Sequence, residues 1–199
     1  MSLRMPLLET SRLKIRPFAI SDLDVIHRIL DVELSDADFG TDGATALAQR
    51  RRWLEWTILN YDALAELYQP PYGDRAVALK TTGEVIGACG FVPCLAPFGQ
   101  LPSFAAQSST LHSPEFGLFY ALSPSLQGHG YATEAMRAMV DFAFTTLKVR
   151  RIVATTTHDN RRSIAVMRRL GMRIDTNPLP APPWLQVVGV IDNTSPPPV

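Results

Sequence analysis

Three features of the sequence predict an α/β (α+β) fold built on one mixed sheet. Short alternating or β-branched runs such as "RLKIRPF", "EFGLFYAL" and "RRIVATTT" read as strands. Segments with apolar residues three and four apart, clearest from Tyr131 to Phe144, read as helices between those strands. Turn residues punctuate nearly every junction, which keeps the elements short and sequentially adjacent. The chain has 199 residues, enough for one domain with a sizeable core, and a single domain over 1–199 is expected.

Taken in order, Arg12 to Phe18 alternates apolar and basic side chains and forms a strand with one buried face. Ser21 followed by acids in "DLDVIHRIL" is a helix start, with Leu23, Ile26, Ile29 and Leu30 on one side. A second helix runs from about Ala44 to Leu67; its Arg50-Arg51-Arg52 run reads as a solvated face, and Trp53 and Trp56 as core or pocket wall. "RAVALK" and "EVIGACGF" are strands joined by a Thr81-Thr82-Gly83 turn. Pro93 to Pro114 lacks any period and reads as a long loop.

Glu115 to Leu122 is the next strand, ended before Pro124. A glycine turn leads into the strongest helix, on which Ala132, Ala135, Met136, Met139, Val140, Ala143 and Phe144 share a face. A strand over "RRIVATTT", a helix over "NRRSIAVMRRLG" ended by Gly171, and strands through "WLQVVGVID" complete the chain. Residues 193–199 read as a disordered tail. The order is β-α-α-β-β-β-α-β-α-β-β, a central sheet of about seven strands with helices on both faces. Hairpin-linked strands are expected antiparallel and helix-linked strands parallel.

Composition limits the function. Formal net charge is zero, which argues against general binding to nucleic acid. Cys89 and Cys94, the two cysteines, form neither a zinc pattern nor a disulfide framework, so no metal is expected and a reducing cytoplasm is inferred. No apolar run reaches membrane-spanning length, and the start lacks the core of a signal peptide.

The chemistry is concentrated at Gln127-Gly128-His129-Gly130-Tyr131-Ala132-Thr133. The leading N–H groups of a helix have no partners within it and, with the macrodipole, attract an anion. Gly128 and Gly130 lack Cβ, so their backbone can approach a ligand and adopt positive φ. The alternative is an ordinary glycine turn between strand and helix. A dinucleotide fingerprint is excluded, because Thr133 stands where its third glycine belongs and no acid follows at the required spacing. A phosphate loop ending in Gly-Lys-Ser/Thr is also absent.

"LQGHGYATEA" resembles the acyl-CoA loop of the GNAT superfamily of N-acyltransferases, through Gln127, Gly130 and Ala132. "HDNRRSIAVMRRLGM" resembles the family's next helix, with Asn160, Ser163 and Gly171 in place, and "TSRLKIRPFAISDLD" resembles the opening of the branch that holds the ribosomal-protein N-terminal (alanine/serine) acetyltransferases. The resemblance spans Thr10 to Met172. It implies the acyl-CoA N-acyltransferase fold and acetyl-CoA as co-substrate, with the pyrophosphate on the amides of Gln127 to Thr133. It also implies that the pantetheine arm pairs with the backbone of Tyr120, Ala121 and Leu122 and hydrogen-bonds Asn160. Asn160 has a second reading as a helix cap. Many family members carry a tyrosine seven residues after that asparagine as general acid; Met167 stands there, and a thioether donates no proton. Ser163 or a water would then serve the departing thiolate, or the thiolate would leave unassisted.

The expected reaction is acetyl transfer to a primary amine, on a small molecule or a peptide N-terminus, with Glu115 as candidate general base and a surface strand-end charge as its alternative role. His112 is a candidate substrate contact, His129 a loop side chain beside phosphate, and His27 and His158 surface residues. Arg161, Arg162, Arg168 and Arg169 read as a solvated face or as contacts to the adenosine 3′-phosphate. The competing function is an acyl-CoA-binding module without chemistry, favoured by Met167. The acceptor's identity, and whether the protein forms a homodimer, are open at this level.

Overall fold

The computed structural model describes residues 4–34 and 47–194. The chain divides into two compact units, Met1–Phe91 with Phe119–Met139, and Val92–Leu118 with Val140–Val199.

In the first unit, β1 (Leu8–Glu9) and β2 (Leu13–Arg16) form a small antiparallel hairpin, with Leu8 opposite Ile15. β1 has no signature in the sequence because two residues carry no period. β2 pairs antiparallel with β3 (Gly73–Leu79), and β3 with β4 (Val85–Ala96). The β2–β3 pairing corrects the expectation that helix-linked strands run parallel. A single crossover helix returns the chain to the end where it started; a second helix carries it back again, so β3 enters from the opposite end. Those helices are α1 (Leu23–His27), prolonged by a π-helical stretch Arg28–Glu33, and α2 (Leu47–Glu66). The start expected for α2 at about Ala44 lies outside the described residues. Ser21 is exposed, and the helix entrance is secured instead by Asp22, whose carboxylate accepts from Ala19 N (2.8 Å) and from both terminal nitrogens of Arg16 (2.7 and 2.8 Å). Burial opposes the Asp22 charge, yet these bonds hold its carboxyl below the ordinary value.

Phe18, Leu23, Ile26, Ile29, Leu30 and Leu54 pack on Ala76, Ala78 and Ala88 as this unit's core, with Trp53 against its edge. Trp56 is 60% exposed, contrary to its expected place in core or pocket wall. The arginine run also divides. Arg51 and Arg52 are exposed, whereas Arg50 is buried, fork-bonded to Asp31 (2.8 and 2.5 Å) and lying over the Trp53 ring. His27 belongs to the same cluster, its Nδ1 2.8 Å from Asp31 Oδ2, and is half-buried rather than on the surface. The physical reason is register. Arg50, Leu54 and Thr57 fall on the buried stripe of α2, which the neighbouring arginines miss.

The second unit holds the end of β4, the start of β5 (Ser113–Leu122), β6 (Arg151–Thr156), α4 (Arg161–Arg169), β7 (Arg173–Thr176) and β8 (Val187–Asp192). β5 and β6 pair in parallel, Phe116 opposite Ile152, as expected for strands linked by a helix, which is α3 (Tyr131–Thr145). β8 lies antiparallel to both β6 and β7, so β6 and β7 share a direction across one intervening strand. Among the described residues the eight strands are hydrogen-bonded in the order β1-β2-β3-β4-β5-β6-β8-β7.

The segment read as a patternless loop is more ordered than its sequence suggests. β4 continues to Ala96, and two 3-10 turns, Phe98–Gln100 and Pro102–Phe104, deliver Phe98, Leu101 and Phe104 to a core with Val153, Leu185, Val188 and Val190. The apolar residues are spaced by single turns, a period too brief to read without the neighbours they meet. In the expected tail, Asn193 is bonded to the carbonyls of Phe144 (3.2 Å) and Val149 (3.0 Å); residues 195–199 lie outside the described ones.

Candidate functional site

The glycine turn has the backbone its sequence required. Gly128 and Gly130 sit at φ +82° and +81°, where L side chains are strained. A Cβ on Gly128 would meet nothing within 4 Å, and one on Gly130 only the Arg12 guanidinium at 3.5 Å. The first helical bond of α3 runs from Glu134 N to Gly130 O (3.0 Å). The amides of Tyr131, Ala132 and Thr133 precede it, and these are the leading donors of a helix. Gly128, His129 and Gly130 are exposed, and Gln127, Tyr131, Ala132 and Thr133 half-buried. An open cradle of positive-φ glycines before a helix start fits a diphosphate.

Upstream, the end of β5 is tied to the turn. Gln127 donates its side-chain amide to Leu122 O (2.9 Å), which gives this glutamine a structural reason to stand in the motif. The absence of a side chain on Gly87 lets the backbone of Ala121 and Leu122 close on β4. Ser123 donates its hydroxyl to Glu33 at the end of the π-helical stretch (2.5 Å), and Glu33 also holds Arg28. Tyr120 is half-buried, and Ala121 and Leu122 are buried.

Downstream, the turn is clasped by residues to which the sequence assigned no part in the site. Glu134, in the first turn of α3, accepts from Thr10 Oγ1 (2.5 Å), Ser11 Oγ (3.0 Å), Arg12 N (2.9 Å) and Arg12 Nε (2.7 Å). Arg12 also donates to His129 O (3.0 Å), and its guanidinium lies 4.4 Å from the centre of the Tyr131 ring. Burial works against the Glu134 charge, but the bonds from Thr10, Arg12 and Ser11 outweigh it and lower its pKa to about 2. No local signal links residues 122 positions apart.

In the second unit, Asn160 caps α4, its Oδ1 accepting from Ser163 N at 3.0 Å. Asn160 itself is exposed and Ser163 half-buried. Met167 is fully buried, with Sδ and Cγ 3.0 and 3.1 Å from where a Cβ on Gly189 of β8 would fall. The family's tyrosine position is therefore a core position in this chain, filled by a side chain that moulds itself to a glycine hollow. Glu115 is half-buried at the start of β5. Burial raises its carboxyl above the ordinary value, against the pull of Arg151 at 3.5 Å. Arg151 is shared with Asp192 (2.7 Å) and covers the Phe104 ring. Arg161, Arg162, Arg168 and Arg169 are all exposed, as are His112 and His158. Cys89 is fully buried and burial pushes its thiol up, which removes it as a nucleophile.

The family model described as "Acetyltransferase (GNAT) domain" matches residues 12–173. The chain belongs to the GNAT acetyltransferase family. This GNAT chain is 28% identical over 172 residues to an uncharacterized protein, YkkB, of Bacillus subtilis, covering 83% of this chain and 84% of that one. An acetyltransferase from Agrobacterium tumefaciens superposes with TM-score 0.67 at 27% identity, covering 94% of each chain. The ribosomal-protein-S5-alanine acetyltransferase of Vibrio fischeri superposes with TM-score 0.68 at 17% identity, covering 98% of this chain and 100% of that one. GNAT proteins are acetyltransferases that use acetyl-CoA, which decides between enzyme and non-catalytic binding module in favour of the enzyme. Among the described residues, no helix is long and apolar enough to cross a membrane.

Proposed function

We propose that this acetyltransferase acts as a single catalytic domain, transferring an acetyl group from acetyl-CoA to a primary amine by direct attack on the thioester. The observation that carries this reading is the pair of positive-φ glycines opening onto the start of α3. In the proposal the amides of Gln127 to Thr133 hold the pyrophosphate. The backbone of Tyr120, Ala121 and Leu122 and the Asn160 side chain hold the pantetheine arm.

In the reaction the amine lone pair forms the new C–N bond, the C–S bond breaks, and the sulfur leaves with its electron pair. One proton must leave the amine nitrogen, and the thiolate takes one up. An N-terminal amine with a pKa near 8 costs about 1.4 kcal/mol to deprotonate at pH 7, and a lysine near 10.4 costs about 4.6 kcal/mol. A modest base suffices for the first. Glu115 takes that role in this proposal, and its raised pKa is the change of the right sign for a base. Ser163 is the proposed partner of the departing thiolate, since Met167 is core; a thiol pKa of about 8.5 makes weak assistance sufficient.

Two classes of acceptor compete, a protein or peptide N-terminus and a small-molecule primary amine. The energetics above favour the N-terminus, and so does the alanine acetyltransferase among the structural neighbours. Such an activity belongs in the cytoplasm, where both free cysteines stay reduced. The exposed Trp56 and Leu59 on α2 offer an apolar face for a homodimer, which sedimentation across a range of concentrations tests directly. For the reaction itself the decisive experiment is thiol release from acetyl-CoA with a panel of alanine- and serine-initiated peptides, lysine peptides and polyamines. Turnover restricted to free N-termini supports the reading. Binding of coenzyme A with no turnover on any amine sinks it.

A further inference from the structure

The first turn of α3 poses an electrostatic problem. A helix start that receives a diphosphate carries a carboxylate, Glu134, within that same turn. An uncompensated negative charge there would repel the ligand that the amides attract. The hairpin turn between β1 and β2 resolves this. Arg12 Nε and a terminal guanidinium nitrogen lie 2.7 and 2.6 Å from Glu134 Oε2, and the other terminal nitrogen donates to His129 O at 3.0 Å. Thr10 and Ser11 bond the second carboxylate oxygen, so Glu134 is drawn toward the hairpin by both its oxygens.

The bond to His129 has a backbone consequence. A trans peptide is planar, with its C=O and the following N–H pointing opposite ways. Holding the His129 carbonyl toward Arg12 therefore aims the Gly130 N–H away from Arg12. Gly130 is one of the two residues whose positive φ shapes the turn. The guanidinium also covers the Tyr131 ring, and His129 stacks on that ring at 5.8 Å, which closes the turn against collapse.

We propose that Arg12 is a positioning residue for the acetyl-CoA diphosphate: it neutralises Glu134 at the start of α3 and orients the Gly130 amide through the His129 carbonyl. This inference rests on the acetyl-CoA reading above. It assigns Arg12 no contact with the reacting atoms, and it makes the charge of Glu134 the quantity that matters.

The test is calorimetric titration of coenzyme A into the native protein, Arg12→Ala, Glu134→Gln and the double variant, at low and at moderate salt, with thermal melts alongside. Arg12→Ala leaves Glu134 charged, still bonded by Thr10, Ser11 and the residue-12 amide but without its cation, and Kd for coenzyme A rises about tenfold or more at low salt, less as salt screens the charge. Glu134→Gln stays within about threefold of native. The double variant recovers the part of the loss that is due to charge and binds at least about threefold more tightly than Arg12→Ala, because no charge is left to compensate; the remainder reflects the lost bond to the His129 carbonyl. A double variant that binds no better than Arg12→Ala, or an Arg12→Ala effect indifferent to salt, overturns the inference and assigns Arg12 to structure alone. Should Arg12→Ala fail to fold, Glu134→Gln carries the test alone: a folded Glu134→Gln that loses tenfold in affinity overturns the proposal, and unchanged or tighter binding supports it. Native protein that takes up no coenzyme A removes the acetyl-CoA reading itself, and this inference with it.

Discussion

Replacing Met167 by tyrosine restores the residue that many GNAT proteins carry at this point, and the structure says the restoration fails. Met167 has no exposed surface, and its thioether occupies the hollow left by Gly189 on β8. A tyrosine there is larger and rigid, and overpacking a filled core costs about 1–3 kcal/mol. Its hydroxyl enters the apolar contact that Met167 and Met172 make over Gly189, and a buried hydroxyl without a partner adds about 1–3 kcal/mol. Together these predict a loss of about 2–6 kcal/mol, or a fall in melting temperature of roughly 5–20 °C for a chain of this size. Were the phenol instead to face the leaving sulfur, one charge-assisted hydrogen bond worth about 1.5–3 kcal/mol would raise turnover roughly ten- to a hundredfold. Differential scanning calorimetry and thiol-release kinetics on one accepted amine measure both quantities. Expected are a clearly lower melting temperature and no gain in turnover. A variant with native stability and at least tenfold faster turnover would refute the placement of Met167 in the core and restore a tyrosine-type acid to the mechanism.

Three further outcomes follow from the same geometry. Gly130→Ala and Gly83→Ala place a Cβ at nearly the same backbone angle, φ +81° and +76°, with little in the way at either site, so each should cost a similar ~1–2 kcal/mol of stability; only Gly130→Ala should also weaken coenzyme A binding, and equal affinities would remove the turn from the ligand site. Asn160→Ala removes the bond to Ser163 N and should cost about 0.5–2 kcal/mol of stability, and intact affinity for acetyl-CoA would leave Asn160 a cap only. Glu134 is held at about pKa 2 against an ordinary 4.5, so its stabilising contribution is complete above about pH 4.5 and is lost as pH falls toward 2. Allowing for solvent screening it amounts to on the order of 1–2 kcal/mol, and acid melts of Glu134→Gln should lack that portion of the native slope.

What the sequence by itself determined are the features that each stretch of chain settles alone. The glycine turn, the apolar stripe of α3, the Asn160 cap and the strand runs around them are legible because period, capping and positive-φ preference act within a few residues. The parallel pairing of β5 with β6 follows in the same way, from one helix between two strands. Tertiary structure decided which charges meet. Arg50 looked like its neighbours until α2 turned it onto Asp31, and Arg12 looked like a strand-edge cation until the turn between β1 and β2 set it against Glu134. It decided too that Phe98, Leu101 and Phe104 are core and that Met167 fills a hollow beside Gly189. The physical reason is range. Backbone preference and hydrophobic period are properties of neighbours in the chain, whereas a buried ion pair or a packed thioether is defined by partners tens to more than a hundred residues away, whose approach only the folded chain specifies.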